Sequence, residues 1–112
     1  MTRLQLKAMF DYYLSTLGER TLDDIRHEIL SQLEKRLSGQ ALDDAQDLLR
    51  RYLDYQHALA GLAKGMAGQA QTLDSMAARL QAMQQTRSRY FSAPEIAELF
   101  DQDDVLDRFV LR

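Results

Sequence analysis

Cysteine is missing altogether, which removes a disulfide framework, a thiolate zinc site and a cysteine nucleophile in one step. Histidine is scarce: His27 and His57 are the two in the chain. His27 lies off the apolar face of its helix and reads as a solvated residue, and His57 has no second ligand at i+4, so a zinc reading fails on spacing. Charge of one sign is also lacking. With 14 basic and 17 acidic residues interspersed and a net charge of −3, no field draws the chain onto nucleic acid or an anionic membrane. No apolar run approaches the roughly 18 to 20 residues that span a bilayer, and the polar, basic start is not followed by a signal peptide's apolar stretch. A glycine-rich phosphate loop, a serine elbow and an HExxH pair are all absent, so no nucleophile, base and orienter can be assembled from motifs. Alternation with period two never lasts long enough for a strand.

What is present is helical period, repeated. The 112 residues, 46% apolar and 28% charged, suit a single soluble domain that buries roughly two thirds of its unfolded surface. The chain opens on Met1 directly before one periodic segment and stops at Arg112 directly after another, as a domain taken from a longer protein would.

The first segment is expected to be helical over about residues 4 to 17, with Leu6, Phe10, Tyr13, Leu14 and Leu17 on the buried stripe and Gly18 closing it. Thr21 is a plausible cap for a second helix whose face carries Leu22, Ile25, Ile29, Leu33 and Leu37, with Asp23 and Asp24 in its first turn and Gly39 marking its end. From about Ala41 a long amphipathic run carries Leu42, Ala45, Leu48, Leu49, Tyr52, Leu53, Leu59 and Ala60. Asp43, Asp44 and Asp47 lie outside that stripe and read as a dipole-favoured, solvated end rather than a metal site. The segment GLAKGMAG at 61–68 weakens any helix by about 1 kcal/mol per glycine relative to alanine, so a turn or frayed end is expected there. Helical period resumes with Leu73, Met76, Ala77, Leu80 and Met83. Gln84 and Arg87 then continue the stripe as polar residues before Phe91, so the core is expected to thin in that direction. Ser92, Pro94 and Glu95 form the strongest local signal: a capping serine, a proline tolerated in the first turn, and a glutamate three residues on that closes a capping box. Ile96, Leu99 and Phe100 give the helix that follows a short apolar face, and Val105, Leu106, Phe109 and Val110 give another. Asp101 to Asp107 lacks the glycine and closing glutamate of a calcium loop.

The expected fold is therefore all-α: a small orthogonal three-helix bundle with additional short C-terminal helices, residues 1–112 forming one mini-domain. Within it, the run KAMFDYYLSTLGE at 7–19 holds two surfaces. Tyr12 projects roughly opposite the buried stripe, with Ala8 and Ser15 on its side and Asp11 flanking. Either this helix is covered on both faces, or Tyr12 belongs to a recognition face.

The stretch FDYYLSTLGE, with a basic residue three positions before Phe10, resembles the signature of the lipase-specific foldases, also called lipase chaperones or lipase modulators. The likeness extends to RRYLDYQ around Tyr52, RSRYFS around Tyr90 and the terminal FDQDDVLDRFVLR, and so to nearly all of the chain as that family's first mini-domain. The motif positions that match are Lys7, Phe10, Asp11, Tyr12, Ser15 and Thr16, with Gly18 closing the helix. The family usually has arginine where this chain has Lys7 and alanine where it has Thr16; lysine keeps the charge and loses the forked geometry.

The resemblance implies a steric chaperone that binds a secreted bacterial triacylglycerol lipase, itself similar to α/β hydrolases, and helps it reach its active fold without being an enzyme. No cofactor or metal is implied, and neither nucleic acid nor direct membrane contact by this part. It also implies a periplasmic protein held at the inner membrane by an anchor preceding this module, with a helical arm and a second mini-domain following it. A generic helical adaptor or oligomerisation domain is the competing reading, and a small hydrolase or metal protein a weaker one.

Overall fold

The structure, a computed structural model, describes residues 2–65, 68 and 72–100. It is all-α. Helices α1 (Arg3–Leu14), α2 (Leu22–Arg36), α3 (Gly39–Gly65) and α4 (Leu73–Tyr90) are followed by α5 over 93–100, and the only β feature among the described residues is an isolated bridge between Leu17 and Arg20. The chain divides into two compact units, 1–50 and 51–112, with α3 running through the division.

In the first unit, α1 and α2 form a helical hairpin whose members pack on each other. Thr2 caps α1 with a full box: its hydroxyl accepts from the Gln5 N–H while the Gln5 side chain accepts from the Thr2 N–H. Thr21 caps α2 by accepting from the Asp24 N–H, and Asp23 and Asp24 at its start mirror Lys35 and Arg36 in its last turn, as the helix dipole favours. Leu6 and Phe10 of α1, Ile25, Ile29 and Leu33 of α2, and Ala45, Leu48 and Leu49 of α3 are buried. The larger of these side chains each contribute about 1.5–3 kcal/mol by leaving water. His27 and His57 are both exposed.

The first helix ends three residues earlier than periodicity predicts. The hydroxyls of Ser15 and Thr16 donate to the carbonyls of Tyr12 and Tyr13, both at 2.6 Å, and the amides of Thr16 and Leu17 reach back three residues instead of four. These contacts tighten the last turn into 3₁₀ geometry and stop the α-helix. Leu17, expected on the buried stripe, is consequently 58% exposed, and the turn closes at Gly18, whose φ of +107° a residue with a side chain adopts only under strain.

In the second unit the expected gradient of burial along α4 is reversed. Leu73 is 71% exposed, whereas Thr86 and Arg87 at the far end are buried together with Phe91. The reason is aromatic. Tyr55, fully buried on α3, meets Phe91 and Phe100 edge-on, each with ring centroids 5.5 Å apart, and lies near Tyr52 and Tyr90. This cluster accepts Arg87 because its guanidinium stacks 4.2 Å from the Phe100 centroid and its Nε donates to the Tyr55 hydroxyl at 2.9 Å. A thinning core was therefore the wrong reading of a stripe that turns polar.

Helix α4, at 18 residues, is also longer than a short carboxy-terminal helix. Helix α3 continues through Gly61 to Gly65 before the chain turns, with Gly68 at φ +90°. The Ser92 capping box forms as expected: the Ser92 N–H donates to Glu95 Oε1 at 2.8 Å and the Glu95 N–H to the Ser92 hydroxyl at 3.4 Å. Leu99 and Phe100 are buried behind it. The expectations for Asp101 to Asp107 and for Val105, Leu106, Phe109 and Val110 fall outside the described residues.

Candidate functional site

Helix α1 separates the signature residues by face. Phe10 is fully buried between the first two helices' apolar stripes, so its part in the motif is to hold the helix in place. Tyr12, two residues on and therefore displaced by about 200° around the helix, is 70% exposed. Lys7 and Asp11 sit one turn apart, half-buried and exposed respectively, with Nζ and Oδ2 at 3.9 Å. A pair that long and that open adds at most a few tenths of a kcal/mol. Ser15 and Thr16 contribute their hydroxyls to the helix end described above, which leaves Tyr12 as the motif's large outward-facing side chain.

The Tyr12 ring is not isolated. Tyr13 meets it edge-to-face, with centroids 5.2 Å apart and planes at 82°. Together with Gln5, Ala8 and Met9 of α1 and Arg36 of α2, the two tyrosines line an open concavity of about 470 Å³. Its lining is largely apolar and aromatic, with Arg36 as its cation and Gln5 as its neutral polar side chain. Leu4, Leu17 and Leu22 add further large exposed apolar side chains to the same unit. The motif pointed to Tyr12. Met9, three residues before Tyr12 on the same helix, and Tyr13 beside it follow from helical spacing, whereas Arg36 was not legible as a neighbour because only the packing of α2 on α1 brings it there.

A cluster of buried charge lies in the second unit. Arg51 grips Glu95 with both fork nitrogens at 2.8 Å, and its Nη1 also donates to the Tyr90 carbonyl at 3.0 Å. The Arg51 guanidinium holds the Glu95 carboxyl at about 2 against an ordinary 4.5; burial opposes this and the Ser92 amide and hydroxyl assist it. With Oε1 shared between Arg51 and the Ser92 N–H and Oε2 taken by Arg51, this carboxylate is locked as an ion and is ill-suited to carry protons. Its role is to tie the α4–α5 corner to α3. The sequence offered half of that signal, the capping box, and none of the pairing with Arg51, which is 44 residues away. Among the described residues no three histidine or acidic side chains gather as a metal ion would require, and no helix is long and apolar enough to cross a membrane.

Residues 48–112 match the family model described as proteobacterial lipase chaperone protein. The chain is 41% identical over 108 residues to a lipase chaperone of Chromobacterium violaceum, covering 96% of this chain and 34% of that protein. It is 34% identical over 107 residues to a lipase chaperone of Acinetobacter baylyi, covering 96% of this chain and 31% of that protein, and 36% identical over 105 residues to one of Vibrio vulnificus strain YJ016. The chain thus spans about a third of the length of the curated relatives it matches. No solved structure matches it. The matched model covers more than half of the chain, and the chain belongs to the proteobacterial lipase chaperone family.

Proposed function

We propose that this chain is a steric-chaperone module that binds a secreted triacylglycerol lipase and assists its conversion to the active fold, with the exposed face of α1 as the activating surface. The observation that carries this reading is the placement of Tyr12: a large aromatic side chain left 70% exposed on a helix whose opposite face is fully buried. The lipase is taken to be an α/β hydrolase, with a largely parallel sheet of distant strand pairings and a strained nucleophile elbow, both slow to form. A helper accelerates such folding only by binding the transition state, or a late near-native form, more tightly than the trapped one. It needs a rigid recognition surface and no catalytic group, and the module is accordingly read as a non-enzyme that uses no cofactor.

The remaining assignments follow from the same reading. The whole protein is periplasmic and held at the inner membrane by a segment outside this chain, and Lys7, Phe10, Asp11, Tyr12, Ser15 and Thr16 form the activation motif, Phe10 by fixing the helix and Tyr12 by contact.

Refolding a urea-denatured lipase with and without the chain, and assaying ester hydrolysis, tests the proposal. The expected result is a faster or fuller recovery of activity that depends on Tyr12, with no hydrolysis by the chain alone. Recovery identical to that with an unrelated helical protein would overturn it.

A further inference from the structure

The concavity beside Tyr12 has a chemistry of its own. Arg36 stands at its rim in the last turn of α2, exposed, and forms no hydrogen bond or ion pair among the described residues, whereas Arg26 and Arg50 each pair with an aspartate on their own helix. The Tyr12 and Tyr13 hydroxyls likewise form no hydrogen bond among the described residues. Met9 and Ala8 supply the apolar part of the wall and Gln5 a polar edge. A forked cation and two tyrosines lining one largely apolar hollow are complementary to an anion carried next to an apolar group. An adaptable thioether and two aromatic rings suit a large hydrophobic side chain.

We infer that this concavity takes a carboxylate side chain, aspartate or glutamate, adjacent to a large apolar residue on the surface of the folding lipase, with Arg36 reading the carboxylate and Tyr12, Tyr13 and Met9 the apolar neighbour. This rests on the proposed lipase-binding function and adds the partner's chemistry to it. The charge sets the register of the complex and the aromatic contact supplies most of its hold, the division of labour usual at protein interfaces. An anionic membrane is disfavoured as the occupant by the chain's net charge of −3.

The test is titration of refolding-competent lipase with the chain and its Arg36→Lys, Arg36→Gln and Arg36→Glu variants at low and high salt, each variant checked by thermal melting. Because Arg36 is exposed and has no side-chain partner among the described residues, Arg36→Lys and Arg36→Gln are expected to melt close to the wild type, and Arg36→Glu, which reverses a charge the α2 dipole favours, slightly earlier. Affinity is expected to fall in the order Arg, Lys, Gln, Glu, with the Arg36→Gln loss on the order of tenfold and smaller at high salt. Wild-type affinity in Arg36→Gln while Tyr12→Ala loses binding would sink the carboxylate inference and leave the proposed function standing. Arg36→Glu binding as well as Arg36→Gln would also sink it, as would Arg36-dependent binding to phosphatidylglycerol vesicles without any effect on lipase. Failure of the wild-type chain to bind lipase at all would remove the function and this inference together.

Discussion

The two units bury their interiors by different means. In residues 1–50 every buried side chain is aliphatic or phenylalanine, namely Leu6, Phe10, Ile25, Ile29, Leu33, Ala45, Leu48 and Leu49. In the described part of the second unit the buried set is Tyr52, Tyr55, Phe91, Leu99 and Phe100 with Thr86, Arg87 and Glu95 among them. An apolar interior is non-directional and tolerates repacking, whereas an interior stitched by an arginine fork, a tyrosine hydroxyl and a cation over a ring is right only in one geometry. The difference teaches where each unit spends its surface. The first unit, held by unspecific burial, leaves Leu4, Tyr12, Leu17 and Leu22 exposed, while in the described part of the second Leu73 is the large apolar side chain that is.

The contrast breaks if the first unit's core can be emptied cheaply. Phe10→Ala removes a fully buried ring from between α1 and α2 and leaves a cavity, at an expected cost of about 3–5 kcal/mol. A chemical denaturation series on this variant checks it. A loss below about 1 kcal/mol would mean that burial of the Phe10 ring is not what holds the hairpin together.

The second unit is expected to show a pH dependence set by Glu95. Glu95 is held at about 2 when folded, below its ordinary 4.5, so its contribution is complete above the ordinary value and is lost as pH falls from there through the folded value. The shift corresponds to at most about 3 kcal/mol. Both side chains are mostly buried, Arg51 at 23% and Glu95 at 12% exposure, which limits solvent screening. Denaturation midpoints measured between pH 7 and 2 should fall across that acid window in the wild type. In Glu95→Gln they should start lower and lose this component of the slope. Equal slopes would show that the Arg51 fork does not stabilise the corner.

A smaller effect isolates the buried arginine. Tyr55→Phe keeps every ring contact and deletes the acceptor for Arg87 Nε, so it should cost about 1.5–3 kcal/mol, the range for a hydrogen bond to a charged group. A neutral result would assign the burial of Arg87 to its stacking on Phe100 alone.

The same contrast explains what could be read from the sequence. The first unit was legible because its interior follows helical period alone: Leu6, Phe10, Ile25, Ile29, Leu33, Ala45, Leu48 and Leu49 all fall on the stripes that spacing defines, and all are buried. Three residues expected on those stripes depart from them: Leu22 is 48% exposed, Tyr13 is half-buried and lines the concavity, and Leu17 is exposed because two hydroxyl residues terminate the helix locally, a competition between side chain and backbone that periodicity ignores. The Thr2 and Gln5 box is encoded locally as T-x-x-Q. In the second unit Tyr55 stands at helical spacing from Leu48, Tyr52 and Leu59, at the edge of the stripe expected for α3 without being counted in it, and Arg87 looked like the fading edge of another. Long-range partners turn both into core, and no local rule places residues 32 positions apart in contact. As for the site, the motif identified Tyr12 and helical spacing puts Met9 and Tyr13 beside it, while Arg36 needed the helix crossing.

The smallest change in stability is expected where the largest change in function is proposed. Tyr12→Ala removes a ring that is 70% exposed and whose contact is an edge-to-face meeting with Tyr13. Surface aromatic pairs of that kind hold about 0.5–1.5 kcal/mol at most, and solvent on the open side puts this one at the lower end. The helix itself does not need the ring, since its end is closed by the Ser15 and Thr16 hydroxyls acting on backbone carbonyls that alanine also supplies. Alanine is in addition the better helix former. Thermal melts of Tyr12→Ala should therefore stay close to the wild type, while recovery of lipase activity in the refolding assay falls sharply. The comparison with Phe10→Ala separates the possibilities, because that variant should lose both together, function following stability. If Tyr12→Ala melts as early as Phe10→Ala, the two faces of α1 are one core and the recognition surface lies elsewhere. If it keeps both stability and activation, the exposed ring is an ordinary surface aromatic and the activating surface is not the face that Tyr12 shares with Arg36.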